Sequence, residues 1–146
     1  MIKNTIFSIA LLSFSFDVQA KNDNYGDITV DKVTTIYDGD TFYVIINQWP
    51  DIIGKNIPVR LKGVDTPEMK GACYKEILMA REAKKFTVQQ LRQAKKIELR
   101  NMSRDKYFRI DADVYLDGKN LAQDLIAKKL GVTYSGGTKV DWCQTK

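Results

Sequence analysis

The segment Ile57-Pro58-Val59-Arg60-Leu61-Lys62-Gly63-Val64-Asp65-Thr66-Pro67-Glu68 decides how the rest of the chain is read. Successive side chains of a strand point to opposite faces, so Val59 and Leu61 belong to a core while Arg60 and Lys62 look outward. The strand predicted over Ile57 to Val64 gives way to Asp65-Thr66-Pro67-Glu68, where Pro67 restricts Thr66 to an extended conformation. Upstream, β-branched and aromatic residues dominate Ile28 to Tyr37 and Thr41 to Asn47, and Asp38-Gly39 between them is a hairpin signal. Gln48 to Asn56, containing Trp49-Pro50 and Gly54, reads as a loop.

Downstream, Lys75 to Ala94 are strong helix formers, and Ala80, Ala83, Phe86, Thr87, Leu91 and Ala94 recur at helical spacing as a packing stripe. Lys96 to Arg100 and Phe108 to Leu116 read as two further strands across a polar turn. Asn120 is placed to cap a second helix running to Leu130, with Gln123 in the capping-box position and Gly131 as its stop; the tail after it shows no further element. Three strands, a helix, two strands and a helix predict an α+β domain: a five-stranded OB-fold-like β-barrel with two to three helices, spanning residues 21–146 as one unit.

Residues 1–20 read as a secretory signal. Lys3 supplies the positive region, Ile6 to Phe16 an apolar run, and Val18-Gln19-Ala20 a small-residue cleavage site. The apolar run is shorter than the roughly 20 residues a membrane helix needs. The expectation is an exported protein, periplasmic or extracellular, monomeric and free of the membrane after signal removal. Lys3 and Asp17 cancel, so the chain keeps a net charge of +5, which favours polyanionic partners. In an exported protein the two cysteines, Cys73 and Cys143, read most simply as one disulfide, with two buried thiols as the alternative. Such a bridge closes a loop of about 70 residues and stabilises by roughly 3–4 kcal/mol.

The chain contains no histidine. That excludes histidine-pair ribonucleases, histidine–metal nucleases, phospholipase-D-like phosphodiesterases and Ser-His-Asp hydrolases, all of which need an imidazole. Three patterns can supply other chemistry: Asp38-Gly39-Asp40-Thr41, Arg60 with Asp65-Thr66-Pro67-Glu68, and Lys106-Tyr107-Phe108-Arg109. Each alone is ambiguous, as a turn, a helix-capping segment and a solvated basic face respectively. Together they meet the needs of phosphodiester hydrolysis. Asp40 and Asp65 are hard oxygen donors suited to Ca²⁺ or Mg²⁺, Glu68 is a candidate base, and Arg60 and Arg109 offer planar forks for phosphate.

The set DGDT, VRL…VDTPE and KY-x-R, followed by a strand ending in DGK and a helix, resembles the staphylococcal nuclease (thermonuclease) family over roughly Val30 to Tyr134. The resemblance implies a Ca²⁺-dependent OB-fold nuclease that cleaves DNA and RNA, single strands preferentially, to 3′-phosphate ends. It assigns calcium carboxylates to Asp40 and Asp65, a backbone carbonyl ligand to Thr66, and phosphate binding to Arg60 and Arg109. Glu68 takes the place of the general base, and Lys106 and Tyr107 lie beside the bound phosphate. Phe108 stands where the family usually has glycine, and the chain stops where longer members continue into another helix. The competing expectation is a non-catalytic OB-fold module for single-stranded nucleic acid, which gives no reason for Asp40, Asp65 and Glu68.

Overall fold

The computed structural model describes residues 24–145; the expected signal over residues 1–20 lies outside them. The elements are β1 (Ile28–Thr29), β2 (Lys32–Ile36), β3 (Thr41–Ile45), α1 (Asp51–Gly54), β4 (Ile57–Leu61), β5 (Val64–Asp65), α2 (Tyr74–Gln93), β6 (Ile97–Arg104), β7 (Ile110–Leu116), β8 (Lys119–Asn120), α3 (Leu121–Ala127) and β9 (Val132–Thr133). The main sheet runs β1-β6-β7-β4-β3-β2. It curls shut because one stretch of chain supplies both edges. The Val30 amide donates to Ile97 on β6, and the next amide, Asp31, donates to Ile45 on β3. Adjacent amides in a strand point opposite ways, so a single kinked strand serves two neighbours. The expected continuous strand from Ile28 to Tyr37 is therefore broken in two, and the five-stranded OB-like barrel stands.

Inward-facing Phe42, Val44, Val59, Leu99, Ala112 and Val114 fill the barrel without solvent exposure, and Leu121 and Leu125 of α3 close one end. Helix α2 buries the predicted stripe: Ala80, Ala83, Thr87 and Leu91 are buried, and Phe86 and Ala94 pack against the core. The Thr87 hydroxyl donates to the Gly39 carbonyl at 2.7 Å, which ties the helix to the β2–β3 turn. Among the described residues no helix is long and apolar enough to cross a membrane.

Several boundaries differ from expectation for local reasons. The 48–56 loop contains the single turn α1, started by Pro50 at its N-cap. Strand β6 runs on to Arg104, past an irregularity where Asn101 takes a positive φ of 51°. Helix α3 stops at Ala127, well before Leu130. Lys129 at φ 58° lets the Leu130 amide reach the Leu125 carbonyl and its own amide reach Ile126, a Schellman closure made without glycine. Gly131 has a different task. A Cβ there would lie 2.7 Å from Val64 Cγ2, and its absence lets the tail come down as β9 on β5.

Candidate active site

Strand β4 sits between β3 and β7, antiparallel to the first and parallel to the second, with Thr41 opposite Arg60 and Arg60 opposite Asp111. This pairing brings the Asp38–Thr41 turn and the Asp105–Arg109 turn to the same end of the barrel as the chain leaving β4. Arg60 does point away from the barrel interior, but it is 9% exposed, because the turn at Asp40 and the strand β5 cover that face. The sequence reading of an outward arginine is thus corrected: its surroundings are carboxylates in place of water.

The Arg60 guanidinium lies 3.1 Å from Asp40 Oδ2 and 3.4 Å from Asp65 Oδ1, and donates to the Leu61 carbonyl at 2.9 Å. Asp40 Oδ2 also accepts from the Thr66 amide and hydroxyl, both at 2.9 Å. Asp40, Arg60, Asp65 and Thr66 therefore form one bonded cluster. Asp38 supports it from below, its Oδ1 accepting from the amides of Asp40 at 3.1 Å and Thr41 at 2.8 Å. Burial and the Asp40 charge push the Asp38 carboxyl up to about 7, against the pull of those two amides. Gly39 is forced by space: a Cβ would sit 2.8 Å from Ala83 Cβ and 2.9 Å from Thr66 Oγ1.

Glu68 is half-exposed at the cleft edge, and its amide donates to the buried carboxylate of Glu76 at 3.2 Å. Glu76 also accepts from the Ala72 amide, so it fixes the backbone between the cluster and α2. Arg109 is held by Asp105, which accepts from its Nε at 2.7 Å and from its amide at 2.9 Å. Burial opposes ionisation of Asp105, but the hydrogen bonds from Arg109 outweigh it and keep the carboxyl below its usual range. Phe108 adopts φ 64°, the left-handed conformation glycine would take. The Asp105–Phe108 turn closes with the Phe108 amide on the Asp105 carbonyl, and Arg104 stacks on the Phe108 ring at 4.2 Å. The turn that aims Arg109 is thus made despite the missing glycine.

These groups line a cleft of about 510 Å³ that includes Asp38, Asp40, Arg60, Glu68, Arg109 and the rim residues Lys106 and Tyr107. Asp65 and Thr66, each 1% exposed, do not line it but are bonded to Arg60 and Asp40, which do. Tyr107 is exposed, with the Arg109 guanidinium 5.5 Å from its ring centre. Of the residues singled out in the sequence, Asp40, Arg60, Glu68, Lys106, Tyr107 and Arg109 line this cleft, while Asp65 and Thr66 are bonded to it from behind. The cysteines lie to one side, where Cys73 and Cys143 are joined in a disulfide.

The donor set suits a hard divalent cation. Asp65 Oδ2 is buried with no hydrogen-bond partner, a rare state for a carboxylate oxygen unless a cation serves it. Among the described residues no group of three or more His, Cys, Asp or Glu side chains is placed to hold a metal ion, so a cation here would rest on Asp40 and Asp65 with backbone, water or phosphate oxygens. Sequence reasoning missed Asp38 as an acid, Glu76, Asp105 and Lys139. The last bridges Asp65 and Glu68 from the tail, Nζ at 2.9 and 2.7 Å. Burial works to lower the Lys139 ammonium, but Glu68 and Asp65 overcome it and raise it above the ordinary lysine value.

Comparison with curated proteins returns no match. A family model described as staphylococcal nuclease homologue matches residues 58–141, more than half of the chain, including β4, the Asp65–Glu68 turn, α2, the Arg109 turn and Lys139. With that match lying over an OB-like barrel, the chain belongs to the staphylococcal nuclease family, a family of nucleases and nucleic-acid-binding domains.

Proposed function

We propose that the chain is an exported, Ca²⁺-dependent phosphodiesterase that hydrolyses DNA and RNA, single strands preferentially, to 3′-phosphate products. The observation that carries this reading is the pairing of two buried carboxylates, one with an orphaned oxygen, with Arg60 and Arg109 in one cleft. A bound calcium supplies a Lewis acid for a phosphate oxygen and a site for water. The chain's own residues do the rest. Arg60 and Arg109 clamp the phosphate and answer the charge that builds on it during attack. Glu68, half-exposed at the cleft edge, aligns the attacking water and accepts its proton. Lys106 and Tyr107 on the rim receive the neighbouring phosphate and sugar. Contacts centred on phosphate explain why both nucleic acids serve.

The test is degradation of denatured DNA by the chain from Lys21 onward, with millimolar Ca²⁺ or with chelator. Cleavage should require the cation and fall by on the order of 100-fold or more in Arg60→Ala or Arg109→Ala. Glu68→Gln should lose turnover while keeping nucleotide affinity. The engagement of Glu68 by Lys139 favours a second reading, a non-catalytic strand-binding module. Binding without cleavage under any divalent ion would establish it.

A further inference from the structure

Lys139 lies in a stretch without helix or strand, yet its position is built from both sides. On one side β9 pairs with β5, the Tyr134 amide donates to Gly63 at 3.1 Å, and the Tyr134 hydroxyl donates to Gly137 at 2.9 Å. Gly136 and Gly137, at φ 102° and 87°, fold the segment back. On the other side Trp142 is buried and Cys143 is bonded to Cys73 at the start of α2. Between these anchors the ammonium is presented to Asp65 Oδ1 and Glu68 Oε1. Half of the Lys139 side chain remains exposed, so it can leave without unfolding the strap.

We propose that Lys139 is a tethered counter-ion of the divalent-cation site, neutralising Asp65 and Glu68 when no cation is present and yielding them when one binds. This rests on the reading of Asp40 and Asp65 as that site. Two positive charges cannot share Asp65 cheaply: unit charges 4 Å apart repel by about 1 kcal/mol in water and about 4 kcal/mol near a protein surface. The cation must therefore displace the ammonium, and its affinity is lowered by the ion pairs that are broken. The strap keeps the released ammonium at the cleft, where it adds a positive charge beside Arg60 and Arg109 for the incoming polyanion.

Calcium titration calorimetry on the full chain at low ionic strength tests this without reference to catalysis. Lys139→Gln should bind Ca²⁺ roughly tenfold more tightly than the parent, by the repulsion removed. Lys139→Arg, which keeps the charge, should stay within about twofold of the parent. The thermal midpoint of the cation-free Lys139→Gln protein, with a cooperative transition, shows that it is folded. Equal or weaker affinity in Lys139→Gln would overturn the counter-ion role and leave the calcium site standing. If parent and Lys139→Gln both fail to bind Ca²⁺, or Asp65→Asn binds it as well as the parent, the site reading falls and takes this inference with it.

Discussion

Asp38→Asn should make the cation-free protein more stable at pH 8 and change nothing at pH 4. In the folded chain the carboxyl is raised from 3.8 to about 7 by burial and by Asp40. Below about pH 4 folded and unfolded states both carry the proton, and the group has no effect. Between about 4 and 7 the folded state holds a proton that the unfolded state has released, so stability falls as pH rises. Above 7 the penalty is complete. At about 1.4 kcal/mol per pH unit it amounts to about 4 kcal/mol. Asparagine keeps an Oδ1 acceptor for the Asp40 and Thr41 amides, both of which bond to that atom. A neutral amide oxygen accepts those hydrogen bonds more weakly than a carboxylate, so we expect a gain of about 2 kcal/mol at pH 8. Urea unfolding with chelator at pH 4 and pH 8 measures it. A gain equal at both pH values, or a loss at pH 8, refutes the electrostatic account. On the proposed reading, saturating Ca²⁺ should shrink the gain, since a cation held by Asp40 would offset its repulsion of Asp38.

Three other substitutions probe the scaffold. Gly39→Ala should cost about 1–3 kcal/mol, because its Cβ collides with Ala83 and Thr66; an unchanged thermal midpoint contradicts that close approach. At Phe108, valine should be less stable than glycine by at least about 1 kcal/mol, since a branched side chain is poorly tolerated at a left-handed φ; equal denaturation midpoints would mean the turn adopts another conformation. Replacing Cys73 and Cys143 together by serine should cost about 3–4 kcal/mol by chemical denaturation, and a loss under 1 kcal/mol would show that Trp142 alone secures the tail.

What the sequence disclosed depended on how local the cause was. The α2 stripe, the Asn120 cap, whose side chain accepts from the Gln123 amide, and the β4 alternation are short-range patterns, and each appears as read. The site motifs are short patterns: two lie in single turns, and the third joins Arg60 of β4 to the residues that follow within eight positions. Arg60 was placed on the right face and given the wrong surroundings, since its partners come from β5 and the β2–β3 turn. The break at Val30 and Asp31 answers two distant strands, and no local residue announces it. Lys139 carries no motif, because a lysine in a glycine-bearing tail looks like any solvated charge until the strap places it.

The parallel pairing of β4 with β7 has a consequence for the life of the chain. Arg60 and Arg109 become neighbours only when two segments meet across the intervening α2 and β6, and the cleft then awaits Lys139 near the C-terminus. Contacts so distant in sequence form late and slowly. A half-synthesised or unfolded chain therefore has no assembled cleft, and on the proposed reading it is inert toward nucleic acid. Competence arrives with the native fold, all at once.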